Sequence, residues 1–393
     1  MRAIRLDSCA KPGRPVRQPE VRDDGTGAPR IEELDGLRGV AVLMVVAWHY
    51  LGATLDPTLG FWAKATARTL ILGRTGVDLF FVLSGFLITG IILARTRPAI
   101  GFLGSFYLRR ALRILPPYLI LVAVFWLIVA TGASNPAFNA DTPWWRHLSF
   151  TQNLWMSENA RWGPDAISVT WSVAIEEQFY LVFPLLMLLL PRRAVPAMLV
   201  AAALASITWR AWVYAGPQTA FTAYVSTLAR LDALAFGGVL AWAWREPRAR
   251  AWLESKRRAL FLVTVACLAL TPALAVLIAR DLSWHMFSWA HTYLSLFYSA
   301  VLVCVLLASG TRFASLLRAK WLGFVGGISY SVYLFHPFML SCAFLIAGRT
   351  EHVRNWSDAA IVLAALVATL AWCTLSSRGI EKPAIRFGRR FAY

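Results

Sequence analysis

The stretch LDGLRGVAVLMVVAWHY, residues 34–50, decides how this chain reads. Its middle is apolar enough to be a membrane span, yet it carries Arg38 at one end and His49 eleven residues later. In an α-helix eleven residues turn through about 1100°, three turns plus about 20°, so both side chains lie on one stripe about 16 Å apart along the axis. Asp35 falls roughly on the same stripe. Ionisable groups inside spans are expensive and mark function by default. Either His49 is a buried, satisfied histidine of helix packing, or it has a task that Arg38 shares.

The rest of the chain agrees with a membrane setting. Of its 393 residues 58% are hydrophobic and only 15% charged, where a soluble domain carries roughly 25% charged residues. The apolar residues gather near 35–54, 77–95, 113–131, 171–190, 194–214, 227–245, 258–279, 289–309, 322–347 and 358–376. Each approaches the roughly 20 residues that a span requires. The fold class expected is all-α, a polytopic membrane helical bundle of about ten transmembrane helices. Arginines collect between the second and third segments (Arg95, Arg97, Arg109, Arg110 and Arg113), in PRRAVP, in REPRARAWLESKRR and in the C-terminal KPAIRFGRRFAY. With ten spans these all fall on one side, which the bias of Lys and Arg towards the cytoplasm makes the inner one. Both termini are thus expected in the cytoplasm, and the net charge of +18 reads as membrane orientation rather than nucleic-acid binding. Residues 1–30 lack an apolar signal core and read as a disordered basic cytoplasmic tail, with a second basic tail at 379–393. The five cysteines show no CxxC, so neither a disulfide framework nor a metal site is expected. One long external loop, 132–165, is rich in aromatics and amides. It suits interfacial anchoring and a sugar-binding lip equally.

Three more polar clusters interrupt the apolar runs. In FYLRRALRILPPY (106–118), Arg110 and Arg113 share a helix face at the cytoplasmic mouth, where arginine suits bidentate phosphate contacts. In TWSVAIEEQFYL (170–181), Glu176 aligns with Ser172, Tyr180 and Phe183, a stripe that reads as a polar lining or as an ion pair between helices. Glu177 points elsewhere, so which glutamate faces a site stays open. A looser set comprises Asp78 and Ser84, Arg230 and Asp232, and Ser329, Tyr330, Tyr333 and His336. Here pairing between helices explains Arg230 and Asp232 as readily as substrate contact does, and the small residues of SGF and GGISYS suit close helix contacts. The remaining histidines, His147, His285, His291 and His352, fall in or beside external loops.

Taken in order, LDGLRGVAVLMVVAWHY, DLFFVLSGFLI, FYLRRALRILPPY, TWSVAIEEQFYL, RLDALAFGG and ISYSVYLFHPF resemble the acyltransferase-3 family of bacterial integral-membrane O-acyltransferases, over about residues 31–378. The resemblance implies transfer of an acyl group, commonly acetyl, from acyl-CoA to a hydroxyl of a carbohydrate-containing acceptor at the bacterial cytoplasmic membrane. No permanently bound cofactor is implied. The family's arginine and deep histidine fall on Arg38 and His49, its arginine pair on Arg110 and Arg113, and its span-four glutamate on Glu176. Some relatives carry a C-terminal esterase-like domain; here any second step by such a domain is expected to be absent or supplied in trans.

On this basis His49 is expected as general base, with Glu176 orienting its ring in the manner of a triad acid. Arg38, Arg110 and Arg113 are expected on the CoA phosphates. Ser84, Tyr180, Arg230, Asp232, Tyr330 and His336 are expected on the substrates. An acyl-histidine intermediate is a rival within catalysis. A multi-span transporter of an anionic or sugar-like solute is the rival class, against which the lack of evident internal repeats counts.

Overall fold

The computed structural model describes residues 31–95, 98–132, 135–215, 220–280, 289–308 and 311–391. The tail at 1–30 and His285 lie outside them. The described residues are helical throughout; their β structure is a single isolated bridge between Leu55 and Val353. The main helices are α1 (Glu32–Ala47), α2 (Gly76–Leu93), α3 (Ala99–Ala130), α4 (Thr170–Leu189), α5 (Val195–Ala215) and α6 (Leu231–Arg245). They continue with α7 (Arg257–Arg280), α8 (His291–Leu307), α9 (Lys320–Gly327), α10 (Ser329–Ile346), α11 (Trp356–Ser376) and α12 (Lys382–Gly388).

Each of the ten expected segments falls on a helix, and the fold is an all-α polytopic membrane bundle. Among the described residues seven helices are long and apolar enough to cross a membrane, and His291–Leu307 is a shorter apolar helix. The outer faces carry large apolar side chains such as Leu189 (81% exposed) and Ile346 (87% exposed), which suit contact with lipid and not with water.

Three boundaries differ from the sequence reading, and two of them shape the site. α3 starts at Ala99, directly after Pro98, and runs unbroken through Pro116 and Pro117. Arg109, Arg110 and Arg113 therefore lie within a long helix rather than in a loop before it. The segment 322–347 is two helices, interrupted at Ile328. Finally, residues expected as tail form α12, which packs on α3.

α2 and α6 cross in close contact. A Cβ on Gly85 would meet the Leu234 carbonyl oxygen at 1.9 Å, and one on Gly237 would meet the Val82 carbonyl oxygen at 2.0 Å. The two backbones thus touch, as small residues permit in membrane helices. Two buried ion pairs then fix the start of α6. Arg230 donates to Asp78 of α2 at 2.6 Å, and Arg210 of α5 donates to Asp232 at 2.7 Å.

Candidate active site

His49 sits where α1 loosens into a π turn over Trp48–Gly52. Such single π turns recur at functional sites. Its Nδ1 lies 2.9 Å from the Val45 carbonyl oxygen and 3.1 Å from Nε2 of His336 on α10. The rings meet edge to face with centroids 4.7 Å apart. His336 is itself held from its other nitrogen, Nδ1, by the carbonyls of Val332 (3.1 Å) and Tyr333 (2.8 Å). Pro337 explains the second of these bonds. A proline has no N–H to give the carbonyl four residues earlier, so the Tyr333 carbonyl is left for the imidazole.

These contacts assign both tautomers. Carbonyl oxygens only accept, so Nδ1 of His336 carries its proton and, in the neutral ring, Nε2 is a lone pair. Nδ1 of His49 faces two acceptors, Val45 O and His336 Nε2, and must carry the proton. Nε2 of His49 is then a lone pair with no hydrogen-bond partner among the described residues. A second anchor holds the pair in register. Tyr50, next to His49, donates from its hydroxyl to the His336 carbonyl at 2.9 Å and meets Thr369 Oγ1 of α11 at 2.8 Å.

His49 lines a cavity of about 900 Å³ together with Trp48, Arg74, Trp162, Trp171 and Tyr224. Its rim comes from Asn135, Pro136 and Ala137, from Asp165 and Ser168, and from residues 348–352. The aromatic loop at 132–165 thus contributes directly to the cavity.

Arg38, Arg110 and Arg113 meet Glu176 and Glu177 in a second, narrow cavity of about 80 Å³. Among the described residues the three guanidinium groups form no ion pair. Arg110 lies over the rings of Phe106 (5.7 Å) and Tyr180 (5.5 Å). Glu176 accepts from Ser84 at 2.7 Å and from Tyr180 at 3.1 Å, while Oε1 of Glu177 is buried without a hydrogen-bond partner. The two cavities share Val77 and Tyr333 in their walls. At that wall the Tyr333 hydroxyl meets Ser172 Oγ at 2.6 Å.

The expected residues therefore separate into two sets at opposite ends of α1. Arg38, Arg110, Arg113, Glu176, Ser84, Tyr180 and Tyr330 gather in the narrow cavity; His49 faces the wide one. Glu176 does not orient His49, because its oxygens are taken by Ser84 and Tyr180 and the histidine's partner is His336. His336 lines neither cavity and stands behind His49 rather than on a substrate. Arg230 and Asp232 do not act together and face neither cavity, since each is committed to a different buried ion pair. His291 opens α8; it is 3% exposed, contacts Arg230 and lies 3.7 Å from Asp78. His147 is fully buried, and burial pushes its imidazole down to about 4. Two arginines escaped the sequence reading, Arg74 beside His49 and the fully buried Arg210. Their signal, a lone arginine in LILGRTGV and in ITWRAW, was present in the chain.

The comparison with known families falls on the same residues: the model described as "Acyltransferase domain" matches 31–378. The chain belongs to the acyltransferase-3 family. Among curated relatives, a Listeria monocytogenes protein named peptidoglycan O-acetyltransferase OatA is 26% identical, over 90% of this chain and 55% of its own length. O-acetyltransferase OatA of Staphylococcus aureus is 25% identical over 92% of this chain and 58% of its own length. A putative peptidoglycan O-acetyltransferase of Bacillus subtilis, YrhL, is 27% identical over 90% and 54%. The chain thus spans a little over half the length of these relatives. No solved structure matches it.

Proposed function

We propose that this acyltransferase-3 protein moves an acetyl group from acyl-CoA to a hydroxyl of a cell-surface polysaccharide, with a peptidoglycan-type glycan as first candidate. The observation that carries the reading is the His49–His336 pair. It presents an imidazole lone pair in a wide cavity walled by Trp48, Trp162, Trp171 and Tyr224. Flat aromatic faces with polar neighbours suit sugar rings, and the names of the relatives point to the same acceptor class.

The donor enters from the other end. Three unpaired guanidinium groups around a narrow channel suit the phosphates of CoA, and the slender pantetheine arm fits a space too small for the nucleotide. The bacterial cytoplasmic membrane is the setting, with the arginine mouth and both termini on the cytoplasmic face. The thioester passes the wall at Val77 and Tyr333 to reach His49.

The chemistry follows from the tautomers. The acceptor hydroxyl oxygen attacks the thioester carbonyl carbon while its proton moves to Nε2 of His49. The imidazolium so formed keeps its Nδ1–H on Val45 O and His336 Nε2, which prevents the ring from turning. The intermediate collapses, the C–S bond breaks, and the CoA sulfur takes the proton from Nε2. Such a base contributes typically 10²- to 10⁴-fold.

The test is transfer by the purified full chain, using acetyl-CoA and soluble glycan oligomers. His49→Ala is expected to lose at least about 100-fold in kcat while still binding acyl-CoA. Activity within tenfold of the parent would remove His49 from the chemistry.

A further inference from the structure

One charged group beside His49 has no role in the scheme above. Arg74 lies in a short turn, Ile71–Thr75, between α1 and α2. Gly73 presses this turn against α1, because a Cβ there would meet the Met44 carbonyl oxygen at 2.2 Å and Trp48 Cβ at 3.0 Å. The close approach places Arg74 over Trp48 at 5.9 Å and over Tyr224 at 5.0 Å. The two rings clamp the guanidinium at the wall that also carries His49. Other arginines near the cavity wall are spoken for: Arg230 bonds Asp78, and Arg349 bonds Asp358 at 2.5 Å. Arg74 makes no ion pair and no hydrogen bond among the described residues.

A fixed cation beside a general base is unfavourable by itself, since it opposes the imidazolium that forms when the base takes a proton. The placement makes sense if a negative charge develops between the two during reaction. Acyl transfer creates one. As the hydroxyl oxygen bonds to the thioester carbon, the carbonyl π electrons move onto its oxygen, and the C–O⁻ persists until the C–S bond breaks. A pre-placed donor at that point contributes more in a water-poor cavity than in bulk.

We propose that Arg74 is a catalytic residue, the oxyanion-stabilising group of the acyl transfer, donating to the former carbonyl oxygen while His49 holds the hydroxyl proton. The aromatic clamp fixes the guanidinium before substrate arrives, so little reorganisation accompanies the reaction. This inference rests on the acyl-transfer reading above.

The experiment compares the parent protein with Arg74→Gln and Arg74→Lys, purified in detergent. It uses acetyl-CoA with two acceptors, a neutral N-acetylglucosamine oligomer and a carboxylate-bearing muramic-acid oligomer, and also measures acetyl-CoA hydrolysis without acceptor. Removing one oxyanion donor costs about 10²- to 10³-fold in kcat. Arg74→Gln is expected to lose that much on both acceptors and in hydrolysis, with KM for each acceptor within about threefold of the parent. Arg74→Lys keeps an aliphatic stem between Trp48 and Tyr224 and guards against misfolding. It is expected to lose at least about tenfold in kcat, because a point charge does not reproduce the fork. Full kcat in either variant would overturn the proposal. So would a loss confined to KM for the carboxylate-bearing acceptor, which would make Arg74 an anion subsite. A parent protein that neither transfers nor hydrolyses acetyl-CoA would instead overturn the proposed function itself.

Discussion

Replacing His336 by Phe tests the histidine pair without touching the base. The structure gives the expected size of the effect. His336 Nε2 accepts from His49 Nδ1 at 3.1 Å, and in the transition state that donor belongs to an imidazolium. A hydrogen bond to a charged group contributes about 1.5–3 kcal/mol, or roughly 10- to 150-fold in rate at 25 °C. The Val45 carbonyl remains as a second acceptor, so the lower half of that range is the better expectation. The fold should tolerate the change. The backbone at 336 is held through its carbonyl by Tyr50, which is braced on Thr369, and Phe keeps the ring volume. The assay is steady-state transfer of acetyl from acetyl-CoA, with acyl-CoA affinity measured separately. kcat should fall about 10- to 50-fold, less than in His49→Ala, while the Kd for acyl-CoA stays within twofold. An unchanged kcat in a folded His336→Phe protein would refute the tautomer argument, because it would show that the second imidazole does not hold the first.

Arg113→Ala should weaken acyl-CoA binding about 10- to 150-fold by loss of a charge-assisted contact and leave acceptor KM unchanged, as equilibrium binding of acyl-CoA to the purified variant would show. Glu176→Gln, whose carboxylate bonds Ser84 and Tyr180, should alter KM for acyl-CoA and not KM for the glycan; a change on the glycan side alone would move Glu176 to the wide cavity. Gly85→Val should abolish recovery of monodisperse protein in size-exclusion chromatography, because its side chain would overlap the Leu234 carbonyl, which a Cβ already meets at 1.9 Å. Asp56 accepts from the Thr58 amide and from Arg354, and these contacts hold its carboxyl well below the usual carboxylate range. Its contribution is therefore present above the ordinary aspartate value of about 3.9 and persists below it until the depressed folded value is crossed. Hydrogen exchange at the neighbouring Val353 amide, bonded to the Thr54 carbonyl at 2.8 Å, should stay protected at about pH 4 and lose that protection there in Asp56→Asn.

The sequence shows which polar residues are out of place, because an arginine, a histidine or a glutamate stands out in an apolar run. That is enough to single out His49, Arg38, Arg110, Arg113 and Glu176 as candidates. It does not show who faces whom. His49 and His336 are separated by 287 positions, and a stripe on one helix says nothing about the helix opposite. The alignment of Arg38 with His49 is real geometry, but the two residues serve opposite cavities because the stripe is about 16 Å long. Glu176 is drawn to hydroxyls on its own and the neighbouring helix, Tyr180 and Ser84, before any imidazole is within reach. The HP pair at 336–337 held a readable clue. A proline frees the carbonyl four residues back, and a histidine beside it is placed to fill that bond. Arg230 and Asp232, two residues apart, suggest joint action, yet on a helix that spacing sends them to different faces, one towards Asp78 and the other towards Arg210.

The central claim is that acyl donor and acceptor meet from opposite ends of one bundle, the arginine cavity taking the donor and the histidine cavity the acceptor. Proteoliposomes with a soluble glycan oligomer sealed inside and acetyl-CoA added outside test it directly, since neither reactant crosses the bilayer unaided. The account predicts ester on the enclosed glycan from those molecules whose N-terminal face points outward, and none from His49→Ala. Ester formed only when acetyl-CoA and glycan share the same compartment would contradict it.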